Sequence, residues 1–460
     1  MRLNYLVLLL SLVFPMALHG QNAPTQAFLE WARDHVHPIA SVEESPGDAD
    51  LQPLRNIVGD AHMVAFGEPI HGGHEPLAMR NRIIRYGVTQ LGFTAVALET
   101  CLSSSKRLYD HVLGRTTETD SGLKEAFCYG FGDLPEDLEL VRWLRTYNAV
   151  QPPIRQIHFY GFDLNGQYFP SAYRSVEAVL TFLDRADPAL AFEVRKQYTD
   201  IIPVFRSDKY VKLTPAEKDA ITGRIQDLVA LIHRERTPLT AATSRDDYEW
   251  ALRQALSAAQ DDAFLRSVPP EFGRDQNLPD WWEKSKGSAR WDHSAEMREV
   301  AMADNLLWVR QRECRRGKVL FFAHDQHVQA SVGIVGSPSN EGPWRRIRCA
   351  GSYLRSALDI DLVVIGTYFG RGAGFPSTDV PLPPNVHSME DLLISLSIPR
   401  FIIDLRELPG SGPLHEWFQL PHTTRCSASG QCTWTVDPIR AFDAIFFVDA
   451  ITPSPTPQKP

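Results

Sequence analysis

Three short stretches hold the side chains with the most chemistry to offer. Glu68, His71 and His74 share the glycine-rich segment Gly67-Glu68-Pro69-Ile70-His71-Gly72-Gly73-His74, Glu99 ends an apolar run, and His324 and His327 lie in Phe321-Phe322-Ala323-His324-Asp325-Gln326-His327. A neutral imidazole at His71 can take a proton from water, while a nearby carboxylate, Glu68, orients the ring and supports the imidazolium that forms. Gly67, Gly72 and Gly73 allow a tight turn into a helix whose first N–H groups and positive dipole end would stabilise an oxyanion. Arg80, on that helix, is placed to pair with Glu68 or Glu99, or to bind a substrate carbonyl as negative charge develops on it. His71, His74, His324, His327, Glu68 and Glu99 are also a ligand-rich set for zinc or manganese. Without H-E-x-x-H or C-x-x-C to anchor a metal, that is the competing reading, and no metal is assigned.

Other chemistries lack their signatures. There is no G-x-S-x-G nucleophile elbow, no G-x-G-x-x-G after a strand and no G-x-x-x-x-G-K-[ST] loop, which removes the usual serine-hydrolase, dinucleotide and nucleotide readings. Lys and Arg number 47 against 56 Asp and Glu, a net charge of −9 that disfavours a nucleic-acid partner.

The elements that must position these groups are legible as apolar runs of strand length. They are His62 to Phe66, Thr94 to Leu98, Gln156 to Phe162, Lys318 to Ala323, Leu362 to Phe369, Phe401 to Leu405 and Ala444 to Val448. Most lack polar alternation, as strands do when helices cover both faces of a mainly parallel sheet. Between the first two, Leu77, Ile83, Ile84, Val88 and Leu91 follow a helical period stopped by Gly92, which predicts a βαβ unit. Residues 173–312 read instead as a helical insertion, with helices at Pro215 to Arg234, Asp246 to Phe264 and Ser294 to Gln311 and a tryptophan group at Trp281, Trp282 and Trp291. That group is either an apolar wall for a ligand or packing under the insertion. In such sheets ligands bind beyond the carboxyl ends of the strands, where Glu68, Glu99, Asp163, His324 and Asp404 all fall.

Residues 1–20 have the form of a secretory signal, with Arg2, an apolar stretch from Tyr5 to Leu18 and small Gly20, so a secreted or periplasmic location is expected. No later run is long enough to span a membrane, and the Pro-rich segment 453–460 reads as a loose tail after a domain at 21–452. Export makes disulfides plausible for the six cysteines. Cys426 and Cys432, bracketing Ser-Ala-Ser-Gly-Gln, are the favoured pair, and a nucleophilic Cys101 is disfavoured.

At these residues the sequence resembles the erythromycin esterase family. The resemblance is carried by Gly67-Glu68-x-x-His71-Gly72, Arg80, Glu99 and Ala323-His324-x-x-His327. It extends to Trp143-Leu144-Arg145-Thr146-Tyr147-Asn148, Tyr160-Gly161-Phe162-Asp163, Arg298 with Met302-Ala303-Asp304-Asn305, and Asp443-Ala444-Ile445-Phe446-Phe447-Val448. It implies a three-layer α/β/α core with a helical insertion over the cleft, and hydrolysis of a macrolide-type cyclic ester without a required metal or other cofactor. His71, Glu68, Glu99 and His324 map to catalytic positions. Arg80 and His327 map to supporting ones, grouped here with His74 as substrate-binding candidates. The expected partner is a small ester or macrolactone. Two other readings keep the same fold: a metal-dependent cell-envelope hydrolase acting on peptide or polysaccharide, and a non-catalytic binding protein.

Overall fold

Buried strands whose residues alternate between two apolar faces build the centre of the molecule. In the computed structural model, which describes residues 22–43, 47–165, 171–268, 289–336, 345–372, 388–425 and 433–455, twelve strands are found among the described residues. They are β1 (Val36–Pro38), β2 (Met63–Glu68), β3 (Phe93–Cys101), β4 (His158–Asp163), β5 (Lys318–His324), β6 (Val332–Gly336), β7 (Arg345–Arg348), β8 (Leu362–Gly372), β9 (Arg400–Asp404), β10 (His422–Arg425), β11 (Thr433–Val436) and β12 (Ala444–Ile451). Eight form one sheet in the order β1-β9-β12-β8-β2-β5-β3-β4. The six strands from β12 to β4 are mutually parallel, and β9 runs antiparallel to its neighbours β12 and β1.

Each central strand feeds two cores because successive side chains point to opposite faces. Val64 and Phe66 of β2 join Leu320 and Phe322 of β5 in one apolar cluster, while Met63 and Ala65 join Val319, Phe321 and Ala323 in the other. The helices His74–Tyr86 and Pro135–Ala149 cover the first face, and Ala289–Glu313 and Ala350–Leu358 the second, giving the three layers.

The insertion has a core of its own. Val176, Leu180 and Leu183 of Tyr173–Ala186 pack with Ile221, Ile225, Leu228 and Ile232 of Pro215–Arg234, and with Ala251, Ala255 and Ala258 of Arg245–Ser267. Pro215–Arg234 starts where the sequence places it, at a capping box between Thr214 and Glu217. The closing helix Ala289–Glu313 belongs to both bodies, with Ala301 in the insertion's core and Met302, Leu306 and Val309 in the core of the sheet.

The structure adds three features to the expected architecture. The crossover from β2 to β3 does not pair those strands, because β5 lies between them. The Phe401 run forms an antiparallel strand, β9. A second, antiparallel sheet, β10-β11-β6-β7, was not anticipated; its short strands, such as His-Thr-Thr-Arg and Arg-Arg-Ile-Arg, have no apolar run to announce them. Trp281, Trp282 and the Cys426 to Cys432 pair lie outside the described residues, as does the signal segment. Among the described residues no helix is long and apolar enough to cross a membrane.

Candidate active site

The order β2-β5-β3 brings Glu68, His324 and Glu99 to adjacent strand ends, and Glu68 stands in register with His324. The ladder between β3 and β4 is irregular between Leu98 and Cys101, the stretch that contains Glu99, and irregularities of this kind re-aim side chains at sheet ends. After β2 the chain turns through Gly72, whose φ of 76° suits a residue without a Cβ, and returns His71 over its own strand end. His71 Nδ1 donates to Glu68 Oε1 at 2.7 Å. The histidine side chain is 44% exposed and the carboxylate beneath it 5%, so the ring faces solvent while its partner is buried. The His324 ring lies 5.1 Å from that of His71, centroid to centroid, and Phe131 packs at 5.2 Å.

Gly67 is required by close packing. A Cβ there would meet Val328 Cγ2 at 2.8 Å and Asp325 Oδ1 closer still. The Asp325 carboxylate accepts from Thr367 N, and Thr367 Oγ1 donates to the Gly67 carbonyl, which ties β2, β8 and the short helix after β5 together beside Glu68. Gly67→Ala is expected to destabilise the fold by about 1–3 kcal/mol through overpacking, measured as a lower urea midpoint. An unchanged midpoint would show that Asp325 can swing away.

Glu99 anchors a buried network. Its Oε2 accepts from His324 N at 2.9 Å, and its Oε1 accepts from Arg298 Nη2 at 2.9 Å and lies 3.4 Å from His327 Nε2. Arg298 also grips Asp163, with Nη2 to Oδ2 at 2.6 Å and Nε to Oδ1 at 3.0 Å, and its Nη1 lies 3.1 Å from His327 Nε2. His327 Nδ1 is 2.6 Å from Glu299 Oε1. Tyr129 Oη donates to Asp163 Oδ2 at 2.8 Å from a residue whose φ of 62° lies in the left-handed region, a strained setting that recurs at functional sites. The disulfide Cys101–Cys128 ties the segment just before Tyr129 to the end of β3, which leaves no Cys101 thiol to act as nucleophile. That pairing was not anticipated, because spacing along a chain does not reveal cysteines brought together by a fold.

Charge sets the protonation of these groups. Burial opposes ionisation of Glu99, but the positive charges of His327, His71 and Arg298, with the His324 N–H, outweigh it and hold its pKa at about 2. For His71, loss of water from the edge packed against the protein lowers the pKa, but Glu99 and the hydrogen-bonded Glu68 outweigh this and raise it to about 9. Glu68 itself is pushed up, first by burial and also by Glu99. Both shifts mean that the Glu68–His71 pair holds a proton at neutral pH. If neutral His71 is the base, kcat/KM should rise about tenfold per pH unit from neutrality and level off above about 9. A profile already flat at pH 6 would remove His71 from that role.

The other candidates, Arg80, His74 and His327, each have defined partners. Arg80 is 1% exposed; its partners are Asp137, 2.6 Å from Nη1, and Asn81 Oδ1, and its guanidinium lies over Phe322. It makes no direct hydrogen bond or ion pair with Glu68 or Glu99, yet it lines a small cavity with both, and its charge favours ionisation of Glu68. His74 is held between Glu136, at 2.6 Å from Nδ1, and Glu43, at 3.0 Å from Nε2. His327, 6% exposed, serves the Glu99 network rather than an open pocket. Among the described residues, no three His, Cys, Asp or Glu side chains converge as metal ligands. Sequence reasoning gave Arg298 no role of its own; it comes from the insertion's last helix, and its only signal was membership of a family motif. The start of the tail is fixed rather than loose: Ser454 N donates to the Gly72 carbonyl and His74 N to the Thr452 carbonyl, both at 2.8 Å, which clamps the His71 turn.

The protein-family description "Erythromycin esterase" matches residues 88–451, most of the chain. The chain belongs to the erythromycin esterase family. The matched span includes Glu99, Arg298, His324 and His327, and begins after Glu68 and His71. The chain is 24% identical over 412 residues to the erythromycin esterase type II of Escherichia coli, covering 83% of this chain and 90% of that one. A crystal structure from Bacillus cereus shares the fold of this family member with a TM-score of 0.74 at 22% identity, covering 94% of this chain and 99% of the other. An erythromycin esterase variant solved in its open conformation gives 0.63 at 16% identity, covering 88% and 94%.

Proposed function

We propose that this member of the family is an exported carboxylic ester hydrolase in which water activated by His71 attacks an ester or macrolactone carbonyl without a covalent intermediate. The observation that carries the reading is the 2.7 Å bond from His71 Nδ1 to buried Glu68, which leaves the ring's Nε2 as the edge for water, beside His324. His71 Nε2 takes a proton from water as the oxygen bonds to the carbonyl carbon. His324 Nδ1 accepts from Gln326 N at 3.1 Å, so a neutral His324 carries its proton on Nε2 and can donate to the oxyanion. Collapse of the tetrahedral species breaks the ester C–O bond. The proton on His71 passes to the departing alkoxide, and the products are an acid and an alcohol, or one ring-opened hydroxy acid from a lactone.

Glu68 and Glu99 hold the positive charge that develops on His71, whereas His327 and Arg298 act through Glu99 as positioning residues. The mature protein incubated with a macrolide should add the mass of one water to it, and the intact protein should carry no acyl adduct during turnover. An adduct would overturn the direct-water mechanism. Absence of the water gain across macrolides and simple esters would overturn ester hydrolysis. N-terminal sequencing of the exported protein should begin near residue 21, and an N-terminus still at Met1 would refute signal cleavage.

A further inference from the structure

The turn that presents His71 is poor in restraints of its own. Two glycines, Gly72 and Gly73, follow the imidazole, and residues without a Cβ leave the backbone many conformations to choose from. Its shape is fixed instead by a segment that lies almost four hundred residues further along the chain. Pro453 bridges to Gly73 as in an antiparallel ladder, with Ser454 N donating to the Gly72 carbonyl and His74 N to the Thr452 carbonyl, both at 2.8 Å. The backbone is thus held on each side of Gly73.

That segment is anchored in turn by a carboxylate at each end. Glu75 accepts from Thr452 N at 2.7 Å and from Thr452 Oγ1 at 2.9 Å. Glu136, in the first turn of Pro135–Ala149, accepts from Ser454 Oγ at 2.5 Å on Oε2, while its Oε1 lies 2.6 Å from His74 Nδ1. Asn81 Nδ2 donates to the Glu136 carbonyl at 2.8 Å, which locks Glu136 to the helix that follows the turn. Glu136 and Ser454 are each 4% exposed, so their contact is shielded from competing water. An imidazole that must meet both water and a carbonyl carbon is sensitive to where its turn sits, because a shift of about 1 Å can cost about 10²-fold in rate.

We infer that Glu136 and Ser454 are positioning residues for His71, acting through Thr452–Ser454 on the turn that presents the imidazole. The effect on catalysis rests on the hydrolase reading; the bracing of the turn does not.

Hydrogen–deuterium exchange of the mature protein reads the brace through the His74 amide. In a chain ending at Ile451 that amide loses its acceptor, and exchange in peptides covering residues 70–76 should be at least tenfold faster, with peptides from β5 unchanged. Ser454→Ala should speed it at least threefold, and Ser454→Thr, which keeps the hydroxyl, should stay within twofold of wild type. Turnover of a chromogenic ester reads the positioning. The value of kcat should fall at least tenfold in the shortened chain and threefold in Ser454→Ala, with KM within twofold, and should recover in Ser454→Thr. Glu136→Ala should lower kcat at least as far as Ser454→Ala does. Adding Ser454→Ala to it should change kcat less than twofold, because the two residues act through one hydrogen bond. If the shortened chain fails to fold, the point variants decide. Wild-type exchange in the folded variants would overturn the brace. Faster exchange with wild-type kcat, or a loss confined to KM, would overturn the positioning role and leave the hydrolase reading intact. If the wild type turns over no ester, the positioning role falls with the hydrolase reading, and exchange alone decides the brace.

Discussion

His71→Ala should lower kcat by about 10²–10⁴ and leave the protein folded. The size follows from what the ring supplies. Without an imidazole, water must attack unassisted, and the proton needed by the departing alkoxide has no carrier. The fold should survive because the side chain is 44% exposed and its hydrogen bond reaches only Glu68, three residues away. Glu68, already raised by burial, would answer the loss by holding a proton of its own. Turnover of a chromogenic ester by variant and wild type, with circular dichroism as the folding check, measures the effect, and added imidazole should restore part of the rate. Wild-type turnover in a folded variant would end the proposed mechanism. Glu68→Gln gives a second reading of the same pair: with the neighbouring anion gone, the acid limb of the pH profile should move to lower pH, because the carboxylate's hydrogen bond and charge both raise His71.

Arg298→Met should cost about 3–5 kcal/mol of folding free energy, since removing one partner from a buried ion cluster leaves the others uncompensated. Asp163 is wholly buried and Glu99 is 5% exposed, and Arg298 is the guanidinium that touches both. The pH dependence has a definite sign. Glu99 titrates at about 2 when folded against an ordinary 4.5, so its contribution is present above about 4.5 and fades as pH falls toward about 2. The gap between wild type and Arg298→Met should therefore be wide at pH 7 and narrower at pH 3 in urea unfolding. In the double variant Arg298→Met, Asp163→Asn, part of the loss should return, because one stranded charge has gone. A single variant as stable as wild type at pH 7 would mean that the two acids do not need this counterion.

Catalysis should suffer in Arg298→Met through Glu99 and His324. Arg298→Lys restores the charge but not the fork that grips two carboxylates at once. It should recover more stability than kcat, a split that a purely structural role would not produce.

The sequence revealed the strands better than their order. Runs such as Lys318 to Ala323 announce burial on both faces, but nothing local says that β5 will enter the sheet between β2 and β3, and that insertion places His324 between the two acids. The Glu68–His71 pair was legible because only a turn separates its members. Arg298 was not, because its partners Asp163, Glu99 and His327 come from three other elements, and a lone arginine on a helix carries no local mark of burial. Arg80 is an intermediate case: its spacing from His71 suggested the cleft, and it does line a small cavity with Glu68 and Glu99, but its ion-pair partner, Asp137, was not legible. The Cys101–Cys128 bridge and the Tyr129 backbone arise from the same kind of long-range closure.

The contacts from Thr452 and Ser454 to the His71 turn have a consequence for biosynthesis. These residues leave the ribosome after every strand of the sheet, so a nascent chain can assemble its core while the turn that presents the imidazole still lacks its brace. A chain halted after β12 would have a finished sheet, but the turn that carries His71 would lack both of these hydrogen bonds.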